Sequence, residues 1–280
     1  MYYLDLFSGI GGFALGAYNA GWRFERHYFS EIDPWCCRLY ARRFPDAVPL
    51  GDIRSIRFVR HSIGTRQLQS AWRFENGGGW TRDTGEEWIL TGGFPCQDIS
   101  VAGKGAGIGG ARSGLWFEYA RLIGEIRPRY AIMENVGALT RRGLDRVLGS
   151  LAEIGYDAEW SDIRASDVGA PHRRERIWIV AYPQERGPGR SESGNETGFT
   201  WSWRHGANGC DSISPGLAQR KSEPSDDGAQ LTPAVGTDWW SVEPDVGRVA
   251  HGVSQRVDRL RGLGNAIVPQ IAEMIFRELK

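Results

Sequence analysis

The sequence of 280 residues predicts an α/β protein, built as a doubly wound and mostly parallel sheet with a small loop-rich lobe beside it. Short apolar runs alternate with segments of helical spacing over the first 180 residues, an order typical of a parallel sheet covered by helices on both faces. A glycine-rich turn also follows the first apolar run directly. Ligands of such sheets bind at the carboxyl ends of the strands, so polar residues at those ends are the candidates for a functional site.

The N-terminal part contains two strand and helix units and a third short strand. Asp33 is typical of a helix cap, and Pro34 after it favours the first helical position. The predicted elements are a strand at 2–7, a helix at 13–20, a strand at 24–31, a helix from 33 to about 43, and a strand that ends at Asp52 and Ile53.

The same alternation continues further along the chain, and a final helix follows near the C-terminus. The predicted elements are strands at 88–91, 130–134, 158–165 and 176–182, and helices at 115–126 and 143–154. Within 248–280, four apolar residues recur at four-residue spacing, as one face of a helix would require. These residues are Ile267, Ile271, Ile275 and Leu279.

Two segments interrupt the pattern and set the predicted domain boundaries. Residues 54–87 are polar and contain three consecutive glycines, which predicts an irregular insertion without an assigned role. Residues 184–247 are rich in glycine, serine, proline and aspartate but contain tryptophans, which predicts a small loop-rich lobe. We therefore expect a main domain over 1–183, the lobe over 184–247, and a return of 248–280 to the main domain.

Composition excludes several classes of protein. No apolar run is long enough to cross a bilayer and no signal-peptide pattern opens the chain, so we expect a cytoplasmic protein. The formal net charge is zero, which argues against a strongly basic nucleic-acid binder but permits a local patch. The four cysteines lack zinc and disulfide spacing, so we expect free thiols and no metal site.

The glycine turn and the acid that follows it are candidate cofactor ligands. Gly9 and Gly11 stand where a helix begins, and glycines there let a ligand approach backbone N–H groups. An ordinary tight turn is the alternative. Glu31 ends the next strand, where a carboxylate can accept hydrogen bonds from both hydroxyls of a ribose.

A thiol and a carboxyl group are the candidate reactive groups. Cys96 follows Pro95 in a loop that begins with two glycines, so its thiol should be accessible, although most free cysteines are buried and inert. Glu134 ends an apolar strand, where burial would raise its pKa and suit it to proton donation. A structural salt bridge from Glu134 to Arg174 or Arg176 is the alternative reading.

The segment after the cysteine is too rich in glycine for regular structure. Residues 103–112 contain five glycines. A mobile lid over the thiol is one interpretation, and a surface loop without function is the other.

Together these stretches resemble the cytosine-C5 DNA methyltransferases of bacteria and phages. Five motifs occur in the order of that family, and they leave out only the two irregular segments. They are the stretch from Asp5 to Phe13, the stretch from Gly93 to Gln97, Glu134-Asn135-Val136, the stretch from Arg173 to Ile177, and Gly264-Asn265-Ala266. The resemblance implies a Rossmann-like fold that uses S-adenosylmethionine.

The resemblance also implies a reaction for the candidate groups. Cys96 would add to C6 of a flipped-out cytosine while Glu134 hydrogen-bonds or protonates N3, and C5 would then take the methyl group. Arg174 and Arg176 would orient the base, the carboxyl group and nearby phosphates. The implied DNA contacts are Gln97, Ser100 and Arg112.

The remaining implied residues form a cofactor pocket. They are Phe7, Gly9, Gly11, Glu31, Ile32, Asp52, Ile53, Pro95, Leu115, Asn265 and Ala266. Many members have serine where this chain has Ala266. Residues 184–247 stand where the family has its target-recognition region.

Three other functions compete with this interpretation. An RNA cytosine methyltransferase would use the same motifs, and a catalytically silent DNA-binding or cofactor-binding protein would keep the fold alone. A nucleotide-dependent dehydrogenase fits poorly because the glycine spacing differs from the dinucleotide fingerprint. The leading hypothesis is a monomeric, sequence-specific enzyme that acts on double-stranded DNA, with a cognate restriction endonuclease as a possible partner.

Overall fold

The computed structural model describes residues 1–63, 69–74, 81–82, 87–95, 114–184, 262 and 264–280. Ten strands and six helices lie in these ranges. The strands are β1 (Tyr2–Leu6), β2 (Arg26–Ser30), β3 (Val48–Pro49), β4 (Phe58–Ile63), β5 (Gln69–Phe74), β6 (Thr81–Arg82), β7 (Trp88–Gly93), β8 (Tyr130–Val136), β9 (Tyr156–Arg164) and β10 (Glu175–Pro183). The helices are α1 (Gly12–Asn19), α2 (Pro34–Arg43), α3 (Leu115–Ile126), α4 (Leu139–Arg142), α5 (Leu144–Glu153) and α6 (Pro269–Glu278).

Seven strands form one sheet in the order β3-β2-β1-β7-β8-β10-β9. The first five run parallel, and β10 pairs antiparallel with both β8 and β9. The predicted α/β class with a mostly parallel sheet is confirmed. Because β1, β2, β7 and β8 run in the same direction, their carboxyl ends lie at one edge of the sheet.

Helices cover both faces of this sheet. On one face, side chains of α3 and α5 pack against Leu4 and Leu90 of the sheet, and on the other face α1 and α6 pack against Tyr3 and Ile89. Alternate residues of one strand therefore enter different cores, as the two-residue period of a strand requires. In the described part of the chain, no helix has the length and apolar character needed to span a bilayer.

Two glycines bring α1 unusually close to α6. A Cβ atom at Gly12 would lie 2.7 Å from Cβ of Ile267, and one at Gly16 would lie 2.5 Å from Cβ of Ala272. The Trp22 indole N–H also donates to the Phe276 carbonyl oxygen at 2.8 Å. The last helix is thus seated directly against the helix that follows the glycine turn.

The structure corrects two predictions about the segment between Val48 and Trp88. The third strand of the main sheet is only Val48–Pro49, and Asp52 instead caps a short 3-10 turn at Ile53–Ser55. The prediction that 54–87 is irregular is wrong, because β4, β5 and β6 form a separate antiparallel sheet there. An antiparallel hairpin is held by hydrogen bonds between its strands and needs no continuous apolar run. The polar composition of this segment therefore did not indicate that it lacks strands.

This small sheet is attached to the core at its first residue. Phe58 is buried, and its ring meets Trp88 edge-on with 5.8 Å between centroids. Ile56, just before it, is fully buried as well.

Candidate active site

A cavity of about 320 Å³ opens at the carboxyl edge of the parallel strands. Its size lies in the range of small-molecule sites. Twelve of the residues selected from the sequence line it. They are Phe7, Gly9, Glu31, Ile32, Asp52, Ile53, Pro95, Leu115, Glu134, Arg174, Arg176 and Asn265. The structure therefore brings both implied sets, the cofactor residues and the carboxyl and guanidinium groups, to one cavity.

Other selected residues lie elsewhere. Cys96, Gln97, Ser100 and Arg112 fall outside the described residues. Ala266 is close to the cavity but contributes its carbonyl oxygen to Arg174, as described below.

Gly11 is not among the cavity-lining residues, so its contact with a cofactor stays a prediction. It caps α1 with a φ of 85°, and a Cβ atom there would lie 2.6 Å from the Phe44 ring and 3.1 Å from the Tyr40 ring. A positive φ together with this close approach of α2 explains the glycine without a ligand.

The turn after β1 is fixed by the carboxylate of Glu31. One oxygen of Glu31 accepts from the N–H of Gly9 at 2.8 Å, and the other accepts from the N–H groups of Ile32 and Asp33, each at 2.8 Å. Phe7, at the cavity wall, has a φ of 50°, a left-handed conformation that is uncommon for a non-glycine residue. The end of β1 is therefore held in a defined shape, and the Glu31 oxygens keep lone pairs for a ligand.

The helix cap predicted at Asp33 is confirmed. Its carboxylate accepts from the N–H of Trp35 at 2.9 Å and of Cys36 at 3.1 Å, and Pro34 occupies the first turn. This cap sets the direction of α2 beside the cavity.

Arg54 lines the cavity and was missed by the sequence reasoning. Its guanidinium forms an ion pair with the Asp52 carboxylate, with 2.5 Å from Nη2 to Oδ2, and this ion pair lowers the pKa of Asp52. The signal available in the sequence was an arginine two residues after Asp52, an acid that was predicted to end a strand. A ligand that contacts the Asp52 carboxylate would therefore share it with the Arg54 guanidinium.

Glu134 of β8 carries the most perturbed carboxyl group of the cavity. Burial raises its pKa to about 7, against the opposing charges of Arg176 and Arg174. Its Oε1 lies 3.0 Å from Nε of Arg176, on the neighbouring antiparallel strand. The salt bridge proposed as the alternative thus exists, and it holds the same carboxyl group that the chemistry would use.

Gly93 makes room for this carboxyl group. It pairs with Glu134 across β7 and β8, and a Cβ atom at Gly93 would lie 3.1 Å from Oε2 of Glu134. This close approach explains why the residue at position 93 is a glycine.

Asn135 joins the two strands at the entrance to that loop, a role not assigned from the sequence. Its side chain is buried, its Nδ2 donates to the Phe94 carbonyl oxygen at 3.2 Å, and its Oδ1 accepts from the N–H of Val136 at 2.8 Å. An amide at the end of an apolar strand was the signal available. Through Phe94, Asn135 fixes the chain just before Pro95.

Arg174 lines the cavity, and its charge acts on Glu134, while its guanidinium also contacts a turn near the C-terminus. Its orientation of the base stays a prediction. Its Nη2 donates to the carbonyl oxygens of Gly264 at 2.9 Å and of Ala266 at 2.7 Å, and its φ is 28°. Burial and the neighbouring charge of Arg176 lower its pKa. The guanidinium therefore connects the start of β10 to the turn that carries Asn265.

A second buried carboxyl group, Asp5 of β1, lies beneath the glycine turn. Thr91 and Tyr40 donate to its two oxygens at 2.8 and 2.9 Å. Because Tyr40 donates to Asp5, the contact of 2.7 Å from its oxygen to Nε2 of His27 assigns the proton to that nitrogen. Burial raises the pKa of Asp5 to about 7 and lowers that of His27 to about 4.

A family model and the curated relatives of this chain agree on its family. A family model of the C-5 cytosine-specific DNA methylases matches residues 1–204. The chain is 34% identical over 65% of its length to the Type II methyltransferase M1.ScrFI of Lactococcus lactis subsp. cremoris, and 34% identical over 64% to M.BanI of Aneurinibacillus aneurinilyticus. It is 32% identical over 64% of its length to M.NgoBI of Neisseria gonorrhoeae. The matched segment spans 41%, 37% and 50% of those three proteins.

Proposed function

The chain belongs to the C-5 cytosine-specific DNA methylases, and from this premise we propose that it methylates C5 of cytosine in double-stranded DNA with S-adenosylmethionine. The observation that carries the proposal is one cavity that joins two kinds of group. The fixed Gly9 and Glu31 turn lies at one end, and the Glu134 and Arg176 pair lies at the other.

The wall around Glu31 suits an adenosyl ligand. Ile32 is 71% exposed although it is apolar, and it lines the cavity together with the Phe7 ring, so a flat apolar group would cover both. Glu31 offers lone pairs to ribose hydroxyls, and Asn265 and Leu115 complete the wall. Bound there, S-adenosylmethionine supplies an electrophilic methyl group.

The proposed reaction of the target cytosine involves two side chains, Cys96 and Glu134. The Cys96 thiolate would add to C6 while the protonated Glu134 gives its proton to N3, which places an enamine at C5. C5 takes the methyl carbon as the bond from that carbon to the sulfonium sulfur breaks and leaves the thioether S-adenosylhomocysteine. The C5 proton then leaves to a base, and expulsion of the Cys96 thiolate with return of the N3 proton to Glu134 restores the aromatic ring. A carboxyl group with a pKa of about 7 can be protonated and deprotonated within such a cycle.

Arg176 serves this proton transfer by holding the carboxyl group. Its Nε fixes one oxygen of Glu134 at 3.0 Å, and the other oxygen lies beside Gly93 at the cavity wall. The base would have to leave the duplex to reach both Cys96 and Glu134. Gln97, Ser100 and Arg112 remain proposed DNA contacts, and a cognate restriction endonuclease remains the proposed partner in the cell.

Transfer of a labelled methyl group tests the proposal. The full chain is incubated with labelled S-adenosylmethionine and with either genomic DNA or total RNA, and bisulfite sequencing then locates the modified base. We expect label in DNA, at C5 of cytosine and in a fixed sequence context. Label in RNA alone would replace DNA with RNA as the substrate.

A trapping experiment separates an enzyme from a silent binding protein. DNA that contains 5-fluorocytosine should form a covalent complex with the wild-type chain, because fluorine at C5 cannot leave as a proton. Cys96→Ser should abolish the complex but keep cofactor binding. Absence of both label and complex would favour a protein that only binds.

A further inference from the structure

The turn at Gly264, Asn265 and Ala266 carries the C-terminal wall of the cavity. Asn265 faces the cavity, and both Gly264 and Asn265 are exposed. An exposed turn has many backbone conformations available, and a ligand that binds it must restrict them.

The two ends of this turn are fixed by close packing. On one side, a Cβ atom at Gly262 would lie 2.6 Å from the Trp35 ring of α2. On the other side, Ile267 lies against Gly12 at the start of α1. These contacts leave the middle of the turn to be held by something else.

Arg174 is the side chain that reaches the middle of the turn. Its Nη2 donates to the Gly264 and Ala266 carbonyl oxygens, which flank Asn265 on both sides. Hydrogen bonds from a charged donor are stronger than those from a neutral one. The left-handed φ of Arg174 shows that the backbone accepts an unfavourable conformation where this side chain begins.

From this geometry we infer that Arg174 is a positioning residue for the cofactor: it holds Asn265 in its binding conformation before any DNA arrives. The inference rests on the proposed function and assigns Arg174 to the cofactor end of the cavity. The neighbouring Arg176 instead holds Glu134 at the base end. Two arginines of one short segment thus serve different ends of one cavity.

The test compares Arg174→Met with Arg174→Lys in the full chain. Both variants keep the aliphatic stem, but only lysine keeps a charged donor. Arg173→Met is the matched control, because Arg173 is adjacent, its side chain is 72% exposed, and it makes a long contact of 3.8 Å with Glu175. The dissociation constant of S-adenosylhomocysteine is measured by calorimetry without DNA, and thermal unfolding of each free variant verifies that it folds.

Arg174→Met should raise the dissociation constant about tenfold, since two charge-assisted hydrogen bonds are lost and the turn must be ordered by the ligand. Arg174→Lys should recover much of that loss, and Arg173→Met should bind like the wild type. Equal binding by Arg174→Met and the wild type would overturn the inference, and so would equal loss in the lysine and methionine variants. A wild-type chain that binds no S-adenosylhomocysteine would refute the proposed function itself.

Discussion

Asp5 and Glu134 are two carboxyl groups on strands of the same sheet, with only β7 between them. Asp5 is fully buried, and the side chain of Glu134 is 13% exposed. Burial raises the pKa of each to about 7. Their surroundings differ. Asp5 accepts hydrogen bonds from two neutral hydroxyl groups, whereas Glu134 shares one oxygen with a guanidinium and directs the other to Gly93 at the cavity.

A raised pKa therefore does not by itself identify a reactive group. Both carboxyl groups would be selected by burial and titration alone. Only Glu134 lines the cavity, and only Glu134 has charged neighbours that can stabilise its ionised form during a reaction. Asp5 instead lies where β1, β7 and α2 meet, which is a structural position.

Removal of each acid in turn tests whether only Glu134 takes part in the reaction. Glu134→Gln should lower the rate of methyl transfer by about 10²–10³-fold, because the amide cannot exchange a proton with N3. Asp5→Asn should still methylate DNA at temperatures below the melting temperature of the variant protein. The rates are measured in single turnover with labelled cofactor, and comparable losses in both variants would erase the distinction.

The pH dependence of stability sharpens the difference for Asp5. The pKa of Asp5 is about 7 in the folded protein and 3.8 in a free side chain, so the folded state keeps a proton that the unfolded chain loses. The stability of the wild type relative to Asp5→Asn should therefore fall as pH rises from about 4 to about 7, by at most about 1.4 kcal/mol per pH unit.

Urea unfolding of both proteins at several pH values measures this slope. His27 titrates in the opposite direction, since burial lowers its pKa to about 4, but it is present in both proteins. Parallel stability curves would show that Asp5 does not hold the extra proton.

Tyr40→Phe tests the neutral donors around Asp5 with little change in volume. It removes the donor at 2.9 Å to Asp5 and the acceptor of His27, so we expect a loss of about 1–2 kcal/mol in the free energy of unfolding. Tyr119→Phe is the matched control, because Tyr119 is equally buried and, among the described residues, its hydroxyl makes one hydrogen bond, of 3.2 Å to the Ile132 carbonyl oxygen. A larger loss in the control would argue against a special role of the Asp5 cluster.

The smallest expected effect comes from a methyl group placed beside Glu134. In Gly93→Ala the new Cβ atom would press on Oε2 at 3.1 Å, and because a side-chain end can yield, we expect methyl transfer to slow several-fold with stability nearly unchanged. Gly92→Ala should do the reverse, since its Cβ atom would lie 2.7 Å from the Leu6 carbonyl oxygen, which is backbone and cannot yield. Melting temperatures and initial rates of the two variants decide between these outcomes.

Local signals in the sequence predicted much of the fold. The proline after Asp33 and the spacing between Leu115 and Ile126 gave helices whose observed bounds agree with the prediction. Six of the twelve selected residues that line the cavity end or follow parallel strands, and they meet because the carboxyl ends of parallel strands lie at one edge of a sheet; these are Phe7, Gly9, Glu31, Ile32, Pro95 and Glu134.

What the sequence did not show depends on long-range contacts. The hydrogen bonds of Arg174 to Gly264 and Ala266 join segments 90 and 92 residues apart, and no local pattern encodes which carbonyl groups a guanidinium will meet. The position of Gly11 depends likewise on the Phe44 and Tyr40 rings of the following helix. Strands β4 to β6 were missed because only half of the residues of β4 and β5 are apolar, and antiparallel backbone pairing needs no continuous apolar run.

The contact of α1 with α6 also bears on how the chain is made. The glycine turn and Glu31 are synthesised before residues 184–247, but Gly262 and Asn265, which line the same cavity, are synthesised only after them. During translation the nascent chain would therefore hold half a cofactor site, and the ligand could not stabilise it. Full affinity for the cofactor would arise in one late step, when the last helix docks on Gly12 and Gly16.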